Sequence, residues 1–155
     1  MKFRNAKPED AAGIAAVLKE CYNISTIEEG IEVFRSEIQK QYHFIVADDN
    51  DKIIGLTTWQ MHGLPKHMLC ELDRIAVLPE FRGKGVAKGL FDALIKFADE
   101  EYQKDGLSLR KVYLLTHADN KRAHAFYQKM GMSHETTLKN HFYADKDEWV
   151  FSRFF

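Results

Sequence analysis

The run Arg82-Gly83-Lys84-Gly85-Val86-Ala87 sits where one hydrophobic period gives way to another, and this constrains the fold more than any other feature of the chain. Before it, Met68 to Leu78 reads as a strand and ends at Pro79. After it, from Gly83 to about Lys104, apolar residues recur at helical spacing, with Leu90, Leu94, Phe97 and Ala98 as the expected buried stripe. A helix N-terminus offers unpaired N–H groups and the positive end of a dipole, which together attract anions. Glycines let that backbone approach phosphate oxygens with no Cβ in the way. Arg82 and Lys84 add charge, so the turn suits a diphosphate. Taken alone, it reads equally well as a tight connection with basic residues facing solvent.

The rest of the chain supplies a setting for this turn. Lys2 to Ala6 reads as a short strand, and Pro8-Glu9-Asp10 as a helix start, with Ile14, Val17, Leu18 and Cys21 at helical spacing behind it. A second amphipathic helix runs from about Ile27 to Gln41, with Ile31, Phe34 and Ile38 on one face. His43 to Ala47, a polar turn at Asp48 to Asp51, and Lys52 to Met61 form a hairpin, followed by a loop over His62 to His67. Lys111 to Thr116 is a near-continuous apolar run, the pattern of a central strand covered on both faces. Asn120 to Met130 is a short helix stopped by Gly131, and strands over Met132 to Tyr143 and Glu148 to Phe154 close the chain. The order β-α-α-β-β-β-α-β-α-β-β predicts a mixed α/β sheet layered with helices, within one domain spanning residues 1–155.

Three phosphate-binding patterns are separable here. A P-loop requires GxxxxGK[ST], which does not occur. A dinucleotide GxGxxG would need glycine where Lys88 stands, and it belongs to a first β-α-β unit rather than to mid-chain. The pattern that remains is [RQ]xxGx[GA], met by Arg82, Gly85 and Ala87. One β-α unit later come Asn120, Ala123, Phe126-Tyr127 and Gly131, which match N-x-x-A-x-x-F-Y-x-x-x-G. In these two motifs and in element order, over nearly its whole length, the chain resembles the GNAT superfamily of acetyl-CoA-dependent N-acetyltransferases.

The resemblance implies a mostly antiparallel twisted sheet of about seven strands with one splayed parallel pair, flanked by four helices. It implies that the backbone of Ile75, Ala76 and Val77 pairs with the pantetheine arm of acetyl-CoA, and that amides from Arg82 through Gly83, Lys84, Gly85 and Val86 to Ala87 bind its pyrophosphate. Asn120 is then a further contact to the cosubstrate.

The chemistry narrows the catalytic candidates. An alkyl amine with a pKa of roughly 10 must lose a proton before it attacks a thioester. Glu71 and Asp73 lie on the strand leading into the turn, and strand alternation points both to one face, so either is a candidate base, an amine anchor or a structural ion-pair partner. Glu71 also falls where several GNAT enzymes carry a general-base glutamate. Tyr127 matches the tyrosine that many relatives place near the cosubstrate sulfur, where a phenol can protonate the leaving thiolate. The N–H of Val77 is the expected oxyanion donor.

Partners follow from charge and composition. A formal net charge of -1, from 22 basic and 23 acidic residues, lacks the basic excess of a nucleic-acid binder. No stretch is apolar enough for a membrane span, and the expected location is the cytoplasm. Cys21 and Cys70 fall in no metal-ligand spacing and read as two buried, reduced thiols; the seven histidines include no HExxH pair, so no metal is expected. His117 and His124, either side of Asn120, read as solvated polar residues or as a lining of the cosubstrate mouth, while Trp59, Met61 and His62 end a strand where acceptor pockets of the family lie. Trp149 and Phe151 read as core.

The acceptor stays open. The closing strands, with Phe142, Tyr143 and Trp149, are similar to those of protein N-terminal acetyltransferases, and also to polyamine acetyltransferases with acid-lined pockets. Asp145, Asp147 and Glu148 form either such a lining or a solvated hairpin turn. Arg153-Phe154-Phe155 is apolar enough to be covered in a homodimer. The different-class alternative is an acetyl-CoA-binding sensor or partner subunit without turnover.

Overall fold

The computed structural model, which describes residues 1–155, follows the expected element order. Strand β1 (Lys2–Asn5) leads through a single 3₁₀ turn at Pro8–Asp10 into α1 (Ala11–Cys21), then α2 (Ile27–Gln39). The hairpin β2 (His43–Asp49) and β3 (Lys52–His62) comes next, then β4 (Leu69–Val77), α3 (Val86–Gln103) and β5 (Lys111–His117). Helix α4 (Lys121–Lys129) precedes the closing hairpin β6 (Ser133–Tyr143) and β7 (Lys146–Phe154). The strands belong to one seven-stranded sheet in the order β1-β2-β3-β4-β5-β7-β6. β4 and β5 pair in parallel, while β1–β2, β2–β3, β5–β7 and β6–β7 are antiparallel. No helix is long and apolar enough to cross a membrane.

The chain forms two compact units, residues 1–60 with 74–98 and residues 61–73 with 99–155. In the first, α1 and α2 bury Ile14, Val17, Leu18 and Phe34 against Phe44, Val46 and Leu56 of the β2–β3 hairpin. Phe34 and Phe44 meet edge to face at 5.0 Å. The helices approach closely at Gly30, where a Cβ would lie 2.7 Å from that of Ala15. Thr26 caps α2 by accepting the Glu29 N–H, and Glu29 in turn accepts the Ser25 N–H, so the helix start is fixed from both sides.

In the second unit, Cys70, Leu72, Tyr102, Val112, Leu114, Met132, Val150 and Phe151 make the core. Burying a side chain such as Phe151 contributes about 1.5–3 kcal/mol. The Tyr102 hydroxyl donates to the Leu69 carbonyl at 2.7 Å and so satisfies the one polar atom of a fully buried ring.

Several expectations from the sequence are corrected. Helix α3 begins at Val86 and not Gly83, because Gly83 and Gly85 adopt φ of +75° and +80°, outside the right-handed helix. In its stripe Phe97 is only half-buried, while Phe91 is fully buried. Ile38 is 45% exposed in the last turn of α2, and Cys21 is half-buried. β5 fully buries Val112 and Leu114 alone, so it is not covered equally on both faces. Trp59 is buried beneath the stacked ring of His43 at 3.9 Å and is core rather than pocket wall.

Candidate functional site

The glycine turn belongs to the first unit, and its form follows from its residues. Pro79 starts a single 3₁₀ turn that ends β4, and the Arg82 amide closes it by donating to the Pro79 carbonyl at 3.2 Å. Gly83 and Gly85 then take the left-handed backbone that residues with a Cβ adopt only under strain. The first bond of α3 runs from the Gly89 N–H to the Gly85 carbonyl at 3.0 Å, so Gly85 stands at the cap position. Helix geometry leaves the amides of Val86, Ala87 and Lys88 without partners inside the helix. A Cβ built at either Gly83 or Gly85 meets nothing within 4 Å, so the turn opens outward. Open space, orphan amides and the Lys84 ammonium fit a diphosphate. The Arg82 amide is already bonded to the Pro79 carbonyl.

Arg82 does not reach outward. Its Nε donates to the Val77 carbonyl at 3.0 Å and its Nη2 lies 3.8 Å from Cys21 Sγ, which ties the turn to β4 and to the end of α1. The Cys21 thiol, its pKa raised by burial, also donates to the Val77 carbonyl at 3.5 Å, and the Tyr22 hydroxyl reaches the Ile75 carbonyl at 3.4 Å. The carbonyls of Ile75 and Val77 thus have side-chain donors, a role of Cys21 and Tyr22 that no motif announces. Arg74, just before Ile75, forms a bidentate pair with Glu37 at 2.7 and 2.8 Å.

In the second unit the β4–β5 ladder runs from Leu69↔Lys111 to Glu71↔Tyr113, whereas the β5–β7 ladder continues to His117↔Glu148. Glu71 is half-buried, and its Oε2 lies 2.5 Å from His62 Nε2 and accepts from the Tyr113 hydroxyl at 3.3 Å. Burial and the Glu71 charge push the Tyr113 phenol well up, so it remains a donor. Asp73, two residues on, is exposed.

Asn120 caps α4, its Oδ1 accepting the Ala123 N–H at 3.1 Å, which explains that part of the motif by helix-capping chemistry. Tyr127 is 7% exposed, with its ring beside Phe126 and Phe151.

The histidine and acid expectations change most. His124 is buried rather than solvated, stacked on Trp149 at 4.3 Å and bonded through Nε2 to the His117 carbonyl. Trp149 is half-buried between His124 and His134. Glu148 is no part of a solvated turn: it is 2% exposed and bonded to His117 Nδ1, its register partner across β5 and β7. Asp145 and Asp147, with Asp119, Lys146, Ala118 and Asn140, instead line an open cavity of about 330 Å³.

The model of the acetyltransferase (GNAT) family matches residues 12–132. An uncharacterized N-acetyltransferase of Methanocaldococcus jannaschii is 27% identical over 99 residues, 62% of this chain and 41% of that protein. An N-alpha-acetyltransferase of Saccharolobus solfataricus is 30% identical over 79 residues, 51% of this chain and 44% of that protein. The matched stretches thus span less than half the length of these curated relatives. The crystal structure of an N-acetyltransferase from Staphylococcus aureus superposes with a TM-score of 0.73 at 25% identity, covering 99% of this chain and 97% of the other.

Proposed function

The chain belongs to the GNAT acetyltransferase family, and on that premise we propose that it is an N-acetyltransferase that moves an acetyl group from acetyl-CoA to a primary amine. The observation that carries this reading is the turn at Gly83 and Gly85, held open at the start of α3 by the return of Arg82 to Val77. The family match runs through both units, which supports treating residues 1–155 as one catalytic domain.

Acetyl-CoA supplies the activated acetyl thioester. In the first unit, amides from Gly83 to Ala87 hold its pyrophosphate, Lys84 adds charge, and the Ile75–Val77 backbone lines the pantetheine arm, with the Val77 N–H polarising the thioester carbonyl. In the second unit, Glu71 drives deprotonation of the amine, with Asp73 as a nearby second carboxylate, and Tyr127 protonates the departing thiolate. Asn120 retains an amide N–H₂ for the cosubstrate while its Oδ1 caps α4. The exposed Phe154 and Phe155 support a homodimer contact.

Two acceptor classes have support. The match to an N-alpha-acetyltransferase favours a peptide amino terminus, whereas the cavity lined by Asp119, Asp145 and Asp147 favours a polyamine. Thiol release from acetyl-CoA with spermidine and with short unblocked peptides separates them. Tight acetyl-CoA binding with no thiol release above hydrolysis for any amine would replace the enzyme with a sensor. Absence of binding would overturn the reading.

A further inference from the structure

His62 closes β3, and one of its two ring nitrogens, Nε2, meets the Glu71 carboxylate. Oε2 of Glu71 is occupied by two neighbours, His62 Nε2 at 2.5 Å and the Tyr113 hydroxyl at 3.3 Å. An ionised carboxylate only accepts hydrogen bonds, so the His62 ring must present Nε2–H to it. That fixes the tautomer and leaves the lone pair on Nδ1, which has no protein partner. The His62 side chain is 38% exposed against 19% for Glu71, so an arriving amine reaches the imidazole more easily. The loop that follows is held by its own bonds: Gly63 takes a left-handed φ of +67° and the Leu64 N–H donates to His67 Nδ1.

We infer that His62 takes the proton of the attacking amine at Nδ1, and that Glu71 acts through it as a positioning residue that orients the ring and balances the imidazolium charge. The inference rests on the acetyl-transfer reading above and assigns its base. The titratable groups facing His62 are Glu71 on β4 and Tyr113 on β5. An N–H bond of the incoming ammonium breaks as Nδ1–H forms, and the freed nitrogen lone pair attacks the thioester carbonyl. The C–S bond then breaks with its electron pair on sulfur, which takes the Tyr127 proton. The phenolate recovers a proton from the new amide nitrogen, and the imidazolium passes its own to water. One proton is released per turnover.

The test uses the full chain with acetyl-CoA and two acceptors, spermidine and an unblocked alanyl peptide. An imidazole base places the acid limb of kcat/KM about two pH units above that of a carboxylate. His62→Gln should lower kcat/KM about 10²-fold and abolish that limb, with unfolding temperature unchanged, and added imidazole should partly restore His62→Ala. In ¹⁵N spectra the wild-type His62 ring should be the Nε2–H form, becoming a tautomer mixture in Glu71→Gln. His62→Gln within threefold of wild type with its acid limb in place would return the base to Glu71 and overturn the inference. A single tautomer persisting in Glu71→Gln would overturn the positioning role. Wild type that binds acetyl-CoA but acetylates neither amine would fail the acetyl-transfer reading itself, and this inference with it, a result distinct from an active wild type with an indifferent His62.

Discussion

The Arg82 guanidinium turns back on its own chain and donates to the Val77 carbonyl at 3.0 Å, so the one arginine of the glycine motif braces the turn rather than projecting from it. A hydrogen bond from a charged guanidinium contributes about 1.5–3 kcal/mol. Arg82→Gln should therefore weaken coenzyme A binding about tenfold or more by calorimetry. A brace is insensitive to screening, so the ratio to wild type should hold from low to high salt. A ratio that collapses with salt would mean that Arg82 contacts phosphate directly.

Gly85 carries a φ of +80° with open space around the position of a Cβ. Substitution by alanine costs about 1–2 kcal/mol in backbone strain without a clash. Gly85→Ala should lose roughly 5- to 30-fold in coenzyme A affinity, and Gly85→Asp more, since its charge faces the phosphates. Both should keep the wild-type circular dichroism spectrum. Unchanged affinity in Gly85→Asp would remove the turn from the binding site.

Tyr127→Phe preserves the ring that packs beside Phe126 and Phe151 and removes only the hydroxyl. If the phenol protonates the thiolate, kcat should fall about 10²-fold with acetyl-CoA affinity little changed. A loss of binding with kcat intact would make Tyr127 a cosubstrate contact instead.

Glu148 is 2% exposed and His117 holds it. His117 itself is 40% exposed, so removing it takes one hydrogen-bond partner from the buried Glu148, at a cost of about 1–3 kcal/mol. His117→Ala should lower Tm by roughly 2–12 °C by calorimetry. Glu148→Gln, which keeps a hydrogen bond to the ring without the charge, should cost less. Equal Tm values for wild type and His117→Ala would show the pair to be energetically idle.

Acid stability should depend on Asp10. The Arg4 guanidinium bonds both of its oxygens, at 2.7 and 2.9 Å, and holds the carboxyl below its ordinary value; the Lys7 N–H assists while burial opposes. A folded value below the unfolded one means that folding favours the ionised form. The contribution is complete above the unfolded value of about 3.9 and is lost as pH falls through the folded value. Denaturation of wild type and Asp10→Asn should therefore differ at pH 7 and converge in strong acid. A constant difference would leave Asp10 without a titration role.

The sequence by itself determined what is encoded between near neighbours. Strand and helix periods, the proline and glycine breaks, the cap at Asn120 and the turn at Gly83 and Gly85 all depend on residues a few positions apart, and each formed where local chemistry required it. Tertiary structure decided the pairings, because cross-strand register brings together residues that no local pattern relates. Glu71 meets Tyr113 only because β4 and β5 align them, and Glu148 meets His117 only because β5 and β7 do, 31 positions apart. A carboxylate read as a solvated hairpin acid is thus buried, and a candidate base is found already holding a histidine. Sequence placed the acids on their strands; the register of the sheet chose their partners.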